Sequence, residues 1–271
     1  MKSPDWSGSS GDIWARRWRD TDRALAEVGA ALDRAILEAA PSGPLRALDV
    51  GCGPGTTALA LAGSRPDAQI LGCDLSRPLV AIASERAGPS DQLRFVAADA
   101  EEAARDHGPF DLLFSRHGVM FFDDPVRAFT SLRAATSTRG QLVFSCFRDW
   151  AANPWAAELA SAAAGRAVPP PGREPSGFAF ADPAYVADIL SRAGWTDAEP
   201  RPVDFDYDAG SSDEALSFLA ELGPAARVIE ELDDAARAAA LERMRAVIER
   251  HERDGKVRFA GAAWIWTASA R

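Results

Sequence analysis

Leu48-Asp49-Val50-Gly51-Cys52-Gly53-Pro54-Gly55-Thr56 decides how the rest of the chain is read. Leu45 to Val50 is a short apolar strand and Thr57 to Ala62 begins a helix, so the glycines fill a strand-to-helix turn. Glycine there permits a tight turn and lets a ligand approach the backbone, and the carboxyl end of a strand is where open α/β sheets bind ligands. The spacing narrows the ligand. A nicotinamide-dinucleotide fingerprint, G-x-G-x-x-G, counted from Gly51 needs glycine where Thr56 stands. The loop is G-x-G-x-G, preceded by Asp49. A carboxylate at that place suits an ammonium-bearing ligand and suits a pyrophosphate poorly.

On the carboxyl-terminal side the alternation continues. Strands are expected at Ile70 to Cys73, Leu93 to Ala97, Phe110 to Phe114 and Gln141 to Phe147, with helices at Pro78 to Ala87 and from Pro125 to about Ala135. Strands joined by helical crossovers make a mostly parallel sheet with helices on both faces. Before the loop, Trp14, Trp18, Leu25, Val28, Leu32 and Ile36 recur at steps of mostly three and four, predicting an amphipathic helical region over 13–38. After Arg148 the pattern breaks. An alanine-rich helix is expected over 151–165, a Pro/Gly loop over 168–177 and a helix from Asp182-Pro183 to near Gly194. Val203, Phe205 and Tyr207 alternate with aspartates as in a half-buried strand, and Ser211 with Glu214 fits a capping box. Leu241, Met244, Val247, Ile248 and His251 mark a late helix. Val257 to Ala268 reads as a last strand, with Trp264 and Trp266 on one face and Ile265 on the other.

Two further acids stand with Asp49. Asp74 ends the second strand and Asp99 the third, at successive steps of 25 residues. Each precedes a possible helix, where a carboxylate serves as an N-cap. Three acids at successive strand ends around one glycine loop point instead to a ligand. Asp74 can accept both hydrogen bonds of a ribose diol, and Asp99 can accept from an adenine amino group.

These segments resemble the class I S-adenosylmethionine-dependent methyltransferase family. Residues 48–55 look like its first motif, Gly72-Cys73-Asp74-Leu75-Ser76 like its ribose-binding motif, and Ala97-Ala98-Asp99-Ala100-Glu101 like its adenine-binding motif. Phe110 to Arg116 and Gly140 to Phe147 look like the fourth and fifth strands. The resemblance covers about residues 45–148 and lies nearest the ubiquinone- and menaquinone-pathway methyltransferases and their small-molecule relatives. It implies a Rossmann-like sheet of about seven strands with the last antiparallel, S-adenosylmethionine as cofactor, and contacts to it from Asp49, Gly51, Gly53, Gly55, Asp74, Leu75, Asp99, Ala100 and Ser115. In such relatives an N-terminal aromatic helix often covers the cofactor, a place for Trp14 and Trp18 unless they pack on the sheet. The expected organisation is a single domain. Residues 1–40 form a helical cover and 41–150 the cofactor core. Residues 151–182 and 209–254 form a helical cap over the acceptor, and 183–208 with 255–271 complete the sheet.

Composition bounds the partners. Forty acidic against 30 basic residues give a net charge of −10, which argues against non-specific nucleic-acid binding. The three cysteines show no zinc-ligand spacing, and neither a signal peptide nor a membrane-spanning run is evident, so a cytoplasmic protein acting on a small molecule is expected. Of three histidines, His107 sits in a polar loop and His251 on a helix stripe. His117 follows the fourth strand at the same sheet edge as the glycine loop, where it is either a general base for an oxygen or carbon acceptor or pocket wall. Arg116 beside it either disfavours the imidazolium or pairs with a carboxylate of the acceptor. The competing readings are a non-catalytic S-adenosylmethionine-binding protein and, with the third glycine missing, an NAD-dependent oxidoreductase.

Overall fold

The expected strand–helix alternation is present and builds one sheet. A computed structural model describes residues 5–271. The strands are β1 (Leu45–Val50), β2 (Ala68–Asp74), β3 (Leu93–Ala97), β4 (Phe110–Arg116), β5 (Thr136–Phe147), β6 (Thr196–Gly210), β7 (Glu252–Arg253) and β8 (Lys256–Ser269). The helices are α1 (Ser9–Arg16), α2 (Trp18–Ala24), α3 (Ala26–Ala39), α4 (Thr56–Ser64), α5 (Arg77–Ala87), α6 (Ala100–His107), α7 (Pro125–Ala134), α8 (Pro154–Ala164), α9 (Pro183–Arg192), α10 (Ser212–Leu219), α11 (Pro224–Glu230) and α12 (Asp234–Arg250). Sheet order is β3-β2-β1-β4-β5-β8-β6, with β7 paired to β8. β1 to β5 are mutually parallel, and β8 runs antiparallel to both β5 and β6. The order reverses between β1 and β4, and a reversal of this kind opens a crevice at the strand ends.

Alternate strand residues enter two cores. Leu48, Leu113, Phe144 and Trp266 face one, with α7, α8, α9 and α10. Ala47, Leu112, Val143 and Ile265 face the other, with α3 and α4. The period of two read from the last strand is therefore real, with Trp264 packed on the Trp266 side.

Several boundaries differ from the sequence reading. The N-terminal helical region is three helices, because Arg17 and Leu25 leave helical geometry (φ −101° and −103°, ψ 13° at both). The breaks let α1 pack on α5, α2 on β6 and α3 on β4, β5 and β6, which one straight helix would not reach. β5 begins at Thr136 rather than Gln141, because its first residues are mostly polar and are held by pairing to Phe110 with a register shift. α6 is a short amphipathic helix capped by Asp99.

Residues 151–182 and 209–254, expected as a cap over the acceptor, contribute no residue to the lining of the cavity at the strand ends. Among the described residues, the cavity at the strand ends is lined only by residues between Asp5 and Ala128. α8 instead packs on α11, α12 and β8, and α10 packs on α12 and β6. These helices bury Trp155, Phe218, Ile229 and Met244 against the β6–β8 end of the sheet. Their apolar faces are matched to one another, a long-range fact that local periodicity does not carry. No helix among the described residues is long and apolar enough to cross a membrane.

Candidate functional site

A cavity of about 360 Å³ opens where β1, β2, β3 and β4 end, a size within the ordinary range of small-molecule sites. The glycine loop forms one wall. Gly51 and Gly53 line it at positive φ (65° and 52°), and a side chain on Gly53 would meet no atom within 4 Å, so the loop presents bare backbone to the cavity. Gly55 lies outside the lining. It precedes α4 at φ 79°, and an added Cβ would strike the Phe95 ring at 2.8 Å, so this glycine packs the loop onto β3.

The strand-end acids converge here. Asp49, Asp74 and Asp99 all line the cavity, with Leu75 and Ala100 beside them. Asp49 is buried at 1% exposure and its Oδ2 has no hydrogen-bond partner. Burial pushes its pKa up to about 8; Arg116 opposes the rise and Asp74 adds to it. Asp74 accepts from the Gly53 N–H at 2.9 Å and from the Ser76 N–H at 2.8 Å, so one carboxylate ties the glycine loop to the β2 end. Its pKa is raised by burial against these same backbone bonds. Asp99 is an N-cap as well: Oδ1 accepts from Glu101 N–H at 2.8 Å and Glu102 N–H at 3.3 Å, leaving Oδ2 toward other partners. Capping and ligand-facing position coincide at this residue.

Ser115, expected to contact the cofactor, lies outside the lining. Its hydroxyl donates to the Val50 carbonyl at 2.7 Å and accepts from Gly118 N–H at 3.2 Å, bracing β1 against the turn after β4. Trp14 and Trp18 line the cavity as well. Trp18 is flanked by Arg19 and Arg86 guanidinium groups at 4.4 and 4.5 Å. Sequence reasoning missed Trp6, whose ring packs edge-on against Phe121 at 4.8 Å and Trp14 at 5.7 Å over the cavity. It lies in the polar Ser/Gly-rich start of the chain, where one aromatic residue carries no periodicity.

Arg116 is committed within the protein. It meets Asp22 of α2 at 2.5 Å, and Asp22 also accepts from the Thr56 hydroxyl at 2.6 Å and lies 3.5 Å from Arg86. The guanidinium therefore binds the N-terminal cover to the β4 end rather than standing free for an acceptor carboxylate. His117 is buried, with Nδ1 2.8 Å from the Ser145 hydroxyl and Nε2 without a partner. Burial, then Arg116, lower its pKa to about 3. A proton acceptor that weak is poorly matched to base catalysis at neutral pH, which counts against that role.

Residues 48–144 match the family described as "Methyltransferase domain". Over these residues the chain is similar to methyltransferases. The malonyl-[acyl-carrier protein] O-methyltransferase of Geobacter sulfurreducens is 31% identical over 156 residues, 58% of this chain and 57% of that protein. The demethylmenaquinone methyltransferase of Thermus thermophilus is 33% identical over 111 residues, 41% of this chain and 50% of that protein. The match spans 36–57% of the length of the first four such relatives. A solved Haemonchus contortus phosphoethanolamine N-methyltransferase 2 in complex with S-adenosyl-L-methionine shares the fold, at TM-score 0.55 and 18% identity over 97% of this chain and 60% of that one. The matched domain ends within β5, so α8 to α12 lie outside it.

Proposed function

We propose that this methyltransferase domain serves an enzyme that moves a methyl group from S-adenosylmethionine to a small-molecule acceptor in the cytoplasm, with oxygen or carbon as the favoured acceptor atom. The observation that carries the reading is Asp49 Oδ2, a buried carboxylate oxygen beside the glycine loop with no partner inside the protein. A buried unpaired acid is costly, and a ligand ammonium would supply what it lacks. The surrounding residues fit the rest of the cofactor. Asp74 would hold the ribose, Asp99 Oδ2 the adenine amino group, and Leu75 with Ala100 would wall the ring. Gly51 and Gly53 let the ligand lie close to the backbone. When bound, S-adenosylmethionine supplies a methyl group already activated on a sulfonium. The chain's own part is to align the acceptor and exclude water. Positioning of this kind is worth roughly 7–11 kcal/mol of a barrier. Trp6, Trp14 and Phe121 pack together on the cavity lining, where they would help exclude water from a bound ligand and so strengthen its electrostatic contacts.

Incubation with S-adenosylmethionine and a fractionated small-metabolite extract tests the proposal. S-adenosylhomocysteine should accumulate together with an acceptor heavier by one methylene, read by mass spectrometry. A protein that binds the donor and turns over no fraction would be the non-catalytic binding protein instead.

Asp74→Ala is expected to weaken S-adenosylhomocysteine binding by about 1.5–3 kcal/mol, the scale of hydrogen bonds to a charged group. It should also lower the melting temperature, because Gly53 and Ser76 N–H groups lose their acceptor. Calorimetry and a thermal melt measure both. Unaltered binding would remove Asp74 from the ribose.

A further inference from the structure

His117 stands in an unusual setting. It follows β4 at φ 60°, a left-handed conformation that non-glycine residues keep only where their surroundings impose it. Its N–H donates to the Ser145 carbonyl at 3.2 Å, and its ring packs on Phe147 at a centroid distance of 4.4 Å. Nδ1 lies 2.8 Å from Ser145 Oγ. Among the described residues, that hydroxyl has no other hydrogen-bond partner, and His117, which lines the cavity, has none at Nε2.

The proton between the two side chains can be supplied in two ways. If Nδ1–H donates to Oγ, the serine O–H is left buried without an acceptor and Nε2 is a bare lone pair, two unmet groups. If Oγ–H donates to Nδ1, the serine is satisfied and Nε2–H is the one group left open. Each unmet buried group is costly, so the second arrangement wins.

We propose that Ser145 locks His117 in the Nε2–H tautomer, and that His117 is a neutral binding residue whose Nε2–H donates to an oxygen of the molecule held in the cavity. Ser145 is the positioning residue. The pressure of burial and of Arg116 against the imidazolium agrees with this role, because a donor is needed in neutral form. The oxygen is a carbonyl, hydroxyl or carboxylate oxygen of the methyl acceptor, and to that extent the inference rests on the methyl-transfer reading.

The test uses the full chain labelled with ¹⁵N-histidine and long-range ¹H–¹⁵N correlation at neutral pH. The His117 signals are assigned by their loss in His117→Gln. Nε2 is expected as the protonated, pyrrole-type nitrogen and Nδ1 as the pyridine-type one. In Ser145→Ala the lock is expected to fail, giving exchange-averaged tautomers. A protonated Nδ1, or an imidazolium, in the wild-type protein would overturn the proposal. Turnover with S-adenosylmethionine and the small-metabolite extract supplies the second arm. His117→Leu should lose about tenfold to a hundredfold, and His117→Gln, which keeps an N–H donor, under about tenfold. Equal losses in both variants would overturn donation. S-adenosylhomocysteine affinity of the wild-type protein, measured alongside, judges the methyl-donor reading separately, since the tautomer result does not depend on it.

Discussion

Binding of S-adenosylhomocysteine is expected to release close to one proton at neutral pH, and its affinity is expected to rise by up to about tenfold per pH unit between about pH 5 and 8. The source is Asp49. Its carboxyl is buried, Oδ2 is unpaired, and its pKa is pushed up to about 8. At pH 7 the free protein therefore carries it mostly protonated, whereas a ligand ammonium demands the anion. The proton must leave as the ligand arrives, and lowering the pH opposes binding. Asp49→Asn should flatten the pH dependence and weaken binding by about 1.5–3 kcal/mol, since the amide offers no charge. The same shift has a stability consequence of opposite sense to the usual carboxylate. A raised pKa means that the contribution of Asp49 to the free protein's stability is complete below the unfolded pKa of about 3.9 and is lost as pH rises toward about 8. Asp33, pushed up to about 6 by burial, acts in the same direction over a narrower range. The stability of Asp49→Asn should thus gain on the wild-type protein as pH increases from about 4 to 8. Calorimetry in buffers of different ionisation enthalpy measures the proton count. A pH-independent affinity with no proton released would sink this account of Asp49.

Asp22→Ala should loosen the N-terminal cover by about 2–4 kcal/mol, toward the lower part of the range for breaking a buried pair. The Asp22 and Arg116 side chains are 16% and 11% exposed, so the loss leaves a mostly buried guanidinium without its direct partner. Thr56 and Arg86 lose a partner at the same time. Nearby Asp33 softens the penalty, which is why the full figure is not expected. The effect should be local. Amide hydrogen exchange over residues 9–24 should accelerate while β1, β4 and β5 keep their protection. The contact of Arg17 with Glu221 at 2.6 Å, more exposed, contributes less to holding the same segment. Unchanged exchange over α1 and α2 in the variant would show that the pair is not what fastens the cover.

The contrast between Asp49 and Asp22 explains what the sequence made legible. Asp49, Asp74 and Asp99 announce themselves because each stands at or next to a strand end and abuts a turn, a local pattern. The sheet from β1 to β5 was legible for the same reason, since strand and helix periods are local. Asp22 carries no such mark: its partner lies 94 residues away, beyond three crossovers. Ser145 is likewise an ordinary strand serine until the sheet brings it to His117, 28 residues earlier. The apolar stripes of α8 and α12 revealed helices without saying which surface they cover, and the fold assigns them to each other and to the β6–β8 end. Arg116 shows the limit most sharply. Its position beside the cavity was readable, and its commitment to Asp22 was decided by the packing of α2.

The most direct test of the central claim is a calorimetric titration of the full chain with S-adenosylmethionine, S-adenosylhomocysteine and NAD in parallel. The loop with Thr56 in the third-glycine place, the unpaired Asp49 oxygen and the Asp74 and Asp99 carboxylates predict binding of the first two and no response to NAD. Tight NAD binding with no heat from either adenosyl ligand would contradict it.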